Sequence, residues 1–285
     1  MSIKKVNWLM KHGPGIVLMV IIIFTAAAPG QMFARENGSG IIIGKTAQIK
    51  SQVLGEERSL LIYLPETYET SQDKYPVLYH LYVDNTIFHY STGIVRLLAD
   101  QKLIPPMIVV ALSTNRKGAR DLTPTQTPEY GPTSGGANNF IKFFKEELIP
   151  YIDKNYRTRP YRVIWSHSIA GTFSIYALLS TPEVFNAYLV SSPWFTYDGE
   201  SKFLLQNAEK FLKKRTTQEN FLFITVGNEP ELLPSIEGFN HILKNTAPKG
   251  LKWEYRPLKN EDHNSMMSRC LQEGLRVLYS NMKNQ

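Results

Sequence analysis

Cysteine is almost missing from this chain of 285 residues: Cys270 stands alone. One thiol excludes an internal disulfide, and without a second there is no Cys-x-x-Cys pair for redox chemistry or zinc. No His-Glu-x-x-His run occurs either, so neither a metal nor any other cofactor is expected. Internal repeats are absent, as is any linker rich in glycine, proline or serine that would divide the chain. Acidic residues are missing from the start, Glu36 being the first, while Lys4, Lys5 and Lys11 all precede it. The chain carries a net charge of +7, but the excess is scattered. Its densest cluster, Lys210 to Arg215, falls on an amphipathic pattern and reads as a solvated helix face, so nucleic acid is not an expected partner.

What is present begins with an export-like segment. A basic start leads into Gly15 to Ala28, dominated by Val, Ile, Met and Leu, and small residues follow. The uncharged run from Gly13 to Ala34 is long enough to span a bilayer, yet Pro29 and Gly30 interrupt it. The expectation is a signal peptide over 1–34 cut after Ala34, with an uncleaved N-terminal membrane anchor as the alternative. Both place the folded part outside the cytoplasm, in the periplasm or secreted. The whole chain is 43% apolar, enough for the remainder to bury a large core, and that remainder reads as one domain over 40–285.

Along that domain, extended patterns run over Ala47 to Leu54, Arg58 to Leu64 and Tyr75 to Val83. Met107 to Leu112 is short and continuously apolar, as a strand buried on both faces should be. An irregular segment rich in Thr, Pro and Gly, Ser113 to Gly136, separates it from helical periodicity over Asn138 to Tyr156. Further strands fall at Ala187 to Val190 and Phe221 to Val226, the last strand is Lys252 to Pro257, and an amphipathic helix closes the chain. Strands alternating with helices predict an α/β fold with a mostly parallel central sheet and helices on both faces.

The stretch Tyr161 to Gly171 tightens from an apolar strand into small residues around Ser168 and continues at helical spacing. A serine lifted on such a strand-turn-helix can reach a substrate at the end of a parallel sheet, where a histidine from elsewhere takes its proton. Of six histidines, His12 lies in the leader, His80 alternates within a strand, His241 belongs to a helix, and His167 reads as packing beside the serine. His263 follows the last strand in a polar turn and is the candidate base. Candidate acids follow earlier strands: Glu229 first, Glu231 second, Asp198 third. Nucleophile, acid and base in that order suit an α/β-hydrolase.

Arg58-Ser-Leu-Leu-Ile-Tyr-Leu-Pro, Tyr75-Pro-Val-Leu-Tyr, Phe88-His89, Ile104-Pro-Pro-Met-Ile-Val-Val, Arg120-Asp-Leu-Thr-Pro-Thr125, Gly135-Gly-Ala, the run Glu146 to Thr158, His167-Ser168 and Glu261-Asp-His263 together resemble one family. It is the esterase family of α/β-hydrolases that includes esterase D and the enterobactin-type siderophore esterases. The resemblance runs from about Arg58 to the C-terminus. It implies Ser168 as nucleophile and His263 as base, and Glu229-Pro230 resembles the acid loop of the siderophore esterases. It also implies an oxyanion hole from the Ile169 amide and the Asp84–Asn85 region. The family's elbow glycines are here Ser166 and Ala170, and a third glycine is replaced by Asp84, where a positive φ would be costly and a carboxylate turned toward the oxyanion would repel it.

The expected protein is an exported carboxylic ester hydrolase acting on a small-molecule ester through an acyl-enzyme. His89, Arg116, Arg120, Trp194, Phe195 and Tyr197 are expected around the substrate pocket, the two arginines either attracting an anionic substrate or held in structural ion pairs. Acyl transfer with the same triad, and a hydrolase-fold binding protein weakened by the altered glycines, are the alternatives.

Overall fold

A computed structural model of the chain describes residues 40, 42–81, 84–112, 117–127, 129–199, 202–214 and 218–283. The leader expected over 1–34 and the pocket residue Arg116 lie outside them. Among the described residues eight strands form one sheet: β1 (Lys45–Ser51), β2 (Glu56–Tyr63), β3 (Tyr75–Leu81), β4 (Ile108–Leu112), β5 (Thr158–His167), β6 (Ala187–Ser191), β7 (Asn220–Val226) and β8 (Leu251–Pro257), in the order β1-β2-β4-β3-β5-β6-β7-β8. β1 pairs antiparallel with β2 and β2 with β4, and every other pairing is parallel. This is the α/β-hydrolase arrangement expected from the sequence.

Burial explains the strand patterns. β3, β4, β6 and β7 are buried at every position, because crossover helices cover both faces of a parallel sheet. β1, at the edge, alternates only weakly and stays exposed over its first half. On one face lie α1 (Asn85–Asp100) and α8 (Met266–Lys283), where Phe88, Val95 and Leu98 join Leu271, Leu275 and Leu278 against the sheet. Cys270 is enclosed in this layer.

The other face carries α3 (Ala137–Phe143), α4 (Ile149–Asn155), α5 (Ile169–Ser180), α6 (Phe203–Lys214) and α7 (Leu233–Thr246). Residues 170–179 of α5 are all buried, as a helix apolar on every side must be. Phe144 anchors this layer through edge-to-face contacts with Tyr79, Phe140 and Phe185, at ring separations of 5.3 to 5.7 Å. α3 passes into α4 through a wide π turn, Phe144–Leu148. It directly precedes Pro150, which has no N–H to donate and whose ring would clash with the Glu146 carbonyl in a regular helix.

The segment that the sequence leaves irregular contains a short helix, α2 (Gly118–Leu122), fastened by charge. Arg58 of β2, fully buried, pairs with Asp121 and, at 2.7 Å, with Glu56. Arg120 reaches Glu56 and Asp121, both at 2.7 Å, and Lys117 closes on Glu56. Tertiary ion pairing holds this helix, a signal that local periodicity does not carry.

Candidate active site

Parallel register brings His167, Ser191 and Thr225 side by side at the carboxyl ends of β5, β6 and β7. The next residues, Ser168 and Ser192, extend the ladder by one step: Ser168 N–H donates to Ser191 O at 3.0 Å, and Ser192 N–H to Thr225 O at 2.9 Å. Ser168 then turns sharply, with φ 54° and ψ −126°, before α5 begins at Ile169. A non-glycine residue takes that conformation only when its surroundings impose it. Ser168 remains partly open to solvent.

The residues in place of the elbow glycines are accommodated. Ser166 is buried and its hydroxyl donates to Ser174 Oγ at 2.8 Å, while Ala170 packs in the core. Gly171 has no such latitude: an added Cβ would sit 3.0 Å from Val190 and 3.1 Å from the Pro193 backbone, so the helix could not approach β6 as closely.

Two further loops meet at the same edge. Asn228 N–H donates to Glu261 O at 2.7 Å and Leu258 N–H to Val226 O at 2.8 Å, fastening the segment after β7 to the segment after β8. Gly227 permits this, since a Cβ there would lie 2.6 Å from Glu261 O. Asp262 braces the second loop by accepting the N–H groups of Asn264 and Ser265 at 2.9 and 2.8 Å. His263 is thereby presented with its Nδ1 hydrogen-bonded to Glu229 Oε1. Its ring lies 4.3 Å from that of His167, the residue before Ser168.

Glu229 is 3% exposed. Its Oε2 accepts the Gly227 N–H at 2.9 Å and the Ser192 hydroxyl. Burial alone would raise its pKa, but the bonds from His263, Ser192 and Gly227 hold it below the usual carboxylate value. His263 is shifted upward, first by its hydrogen bond to Glu229 and against the effect of burial; the charges of Glu229, Glu231 and Asp262 add to the rise. His167 goes the other way, pushed down to about 4 by burial and then by the His263 charge, while its Nδ1 shares a hydrogen bond with Ser191 Oγ at 3.0 Å. With Nδ1 of His263 directed at a carboxylate, its Nε2 is the basic nitrogen.

The other sequence candidates divide. Asp84 has an ordinary φ of −99° and caps α1, accepting Ile87 N–H at 2.8 Å; the strain expected there does not arise, and its carboxylate is spent on the helix. Asn85 opens α1 and is exposed, and Ile169 opens α5. His89 is an exposed residue of α1. Glu231 is exposed, and Asp198 accepts the Phe203 N–H at the start of α6 at 3.0 Å. Arg120 belongs to the ion cluster on β2. Phe195 and Tyr197, expected as pocket walls, are instead core residues, 0% and 1% exposed; Tyr197 satisfies its hydroxyl on Thr125 at 2.9 Å. Trp194 is partly exposed, fixed through its backbone to Thr172 and set edge-on to Tyr130 at 5.9 Å. Ser192 escaped the sequence reading, since Ser-Ser-Pro after a strand marks a turn and says nothing about where a hydroxyl points.

Among the described residues no group of three or more His, Cys, Asp or Glu side chains is placed to hold a metal ion.

Comparison with known proteins agrees with this architecture. The family model described as Putative esterase matches residues 51–264. The ferri-bacillibactin esterase BesA of Bacillus subtilis (strain 168) is 27% identical over 228 residues, covering 71% of this chain and 78% of that protein. An IroE-like serine hydrolase from Shewanella oneidensis superposes with a TM-score of 0.76 at 28% identity, over 84% of this chain and 80% of that one. The siderophore hydrolase EstA of Aspergillus nidulans gives the same TM-score at 20% identity, over 87% and 98%, and shares the fold. An eight-stranded sheet of this order, matched over most of its length by that family model and by siderophore esterases, makes the chain a member of the esterase D and siderophore-esterase family of α/β-hydrolases.

Proposed function

We propose that the protein is an exported serine esterase in which Ser168 is the nucleophile, His263 the general base and Glu229 the acid that orients it. The observation that carries this reading is Ser168 held at positive φ between β5 and α5, at the sheet edge where Glu229 binds His263 and the His263 ring meets that of His167. In the proposed reaction Ser168 Oγ attacks an ester carbonyl and passes its proton to His263 Nε2. The imidazolium is stabilised by the buried Glu229 carboxylate, and the alcohol leaves with the proton. Water then resolves the acyl-enzyme by the same route.

The developing oxyanion is assigned to the Ile169 amide, free at the first turn of α5, and to an amide of the Asp84–Asn85 region. Loss of one such donor raises a barrier by about 3–4 kcal/mol. The capping role of Asp84 supports this assignment, because a carboxylate bound to Ile87 N–H is not aimed at an oxyanion.

The substrate class proposed is a small-molecule ester, siderophore esters being the first to test given the relatives' names. Residues 1–34 are proposed as a leader removed before the esterase domain of 40–285 acts. No helix of the described residues is long and apolar enough to cross a membrane. A fluorophosphonate probe should label the wild-type protein and spare Ser168→Ala, and short p-nitrophenyl esters should be hydrolysed by the first alone. Equal labelling of both, or no hydrolysis by either, would defeat the proposal.

A further inference from the structure

Ser192 is fully buried, yet it stands at φ 43°, a backbone region where glycine is the usual occupant. Its hydroxyl donates to Glu229 Oε2 and has Met266 Sδ beside it, while its N–H is fixed to β7 through Thr225 O. A glutamate reaches a histidine through three rotatable bonds, so its carboxylate holds one orientation only if both oxygens are engaged. Here Oε1 meets His263, and Oε2 is taken by Ser192 and the Gly227 N–H. Those partners come from separate loops: the turn after β6, the turn after β7 and the turn after β8.

We infer that Ser192 is a positioning residue, whose hydroxyl locks the Glu229 carboxylate so that Oε1 stays on His263 Nδ1 while the histidine gains and loses its proton. This rests on the proposed roles of Ser168, His263 and Glu229. The serine keeps its hydroxyl at the expense of backbone strain that a glycine would relieve. That separates a purely structural role from a positioning one: Ser192→Gly relaxes the turn and removes the hydroxyl, whereas Ser192→Ala removes the hydroxyl and retains the strain.

The test uses the full chain and both variants. It measures Tm, kcat and KM on p-nitrophenyl acetate, and the NMR titration of the His263 ring. The charged and titratable groups around that ring are Glu229 and Glu231 from the loop after β7, Asp262 from its own turn and His167 from β5. Ser192→Gly should melt above Ser192→Ala, because it relieves the turn, and still lose about tenfold or more in kcat with KM unchanged. Its His263 midpoint should move down toward the ordinary value. Ser192→Ala should show the same kinetic loss and the same midpoint with a lower Tm. Wild-type kcat in Ser192→Gly overturns the inference, and so does a His263 midpoint that stays in place or rises. Failure of the wild-type protein to label at Ser168 would sink the esterase reading instead, leaving the titration to decide whether Ser192 fixes Glu229.

Discussion

Among single residues, the two histidines at the sheet edge are shifted in opposite directions. As the proposed base His263 must be neutral to accept a proton, and its pKa is raised by Glu229, so the proposal predicts that kcat/KM falls as pH drops through a midpoint above 6.5. His167, pushed down to about 4, stays neutral throughout and adds no second limb near neutrality. A pH–rate profile flat down to pH 5 would exclude His263 as base. Glu229→Gln keeps a hydrogen-bonding group but removes the charge; it should cost about two to four orders of magnitude in kcat and lower the midpoint. Asp198→Asn and Glu231→Gln should stay near wild type, the first because its carboxylate serves α6, the second because it acts on His263 only through solvent-exposed charge. Sequence points to Ser168, His263 and Glu229 because each follows a strand in a turn at the carboxyl edge of a parallel sheet, and of these the structure joins His263 to Glu229. Phe195 and Tyr197 lie in the core and not on a pocket wall, which their place in the sequence does not show. Aromatic residues near a candidate site suit a wall and a core equally, and only packing decides.

Among the elements, α2 is the clearest case of structure imposed from outside. Glu56 is lowered to about 2, chiefly by its hydrogen bond to Arg120 and against its own desolvation, with Lys117 and Arg58 assisting. A carboxylate depressed in the folded state stabilises fully above its unfolded value near 4.5, and that contribution is lost as pH falls through about 2. Thermal unfolding should therefore show an acid-sensitive component between those limits, and Glu56→Gln should lower Tm at pH 7 while flattening that component. An unchanged acid profile in the variant would assign the sensitivity elsewhere. The loops after β7 and β8 give a second test. Gly227→Ala places a methyl group 2.6 Å from Glu261 O and must part the segments that carry Glu229 and His263. It should cost about 1–3 kcal/mol of stability and reduce esterase activity by more than its effect on folding. Neither α2 nor this loop pairing is visible in the sequence, because both depend on partners more than 30 positions away.

For the whole molecule, the legible part was the part governed by burial. The extended pattern from Tyr75 and the apolar runs from Met107 and Phe221 became β3, β4 and β7, and the parallel sheet with two helical layers followed from them. The antiparallel attachment of β2 beside β4 was not legible, since nothing in a strand's own pattern names its neighbour. The two layers also give the single thiol a use. Cys270 is closed between α8 and the sheet, with its pKa raised to about 12 by burial, so it is a poor nucleophile while α8 is seated. An alkylating reagent should modify the native chain only as fast as that helix lifts away. The modification rate then becomes a clock for opening of the α8 layer, read at one atom without any introduced label. Substrate analogues that engage His263, whose turn leads directly into α8, should slow that clock; a rate indifferent to them would mean that the helix breathes independently of the site.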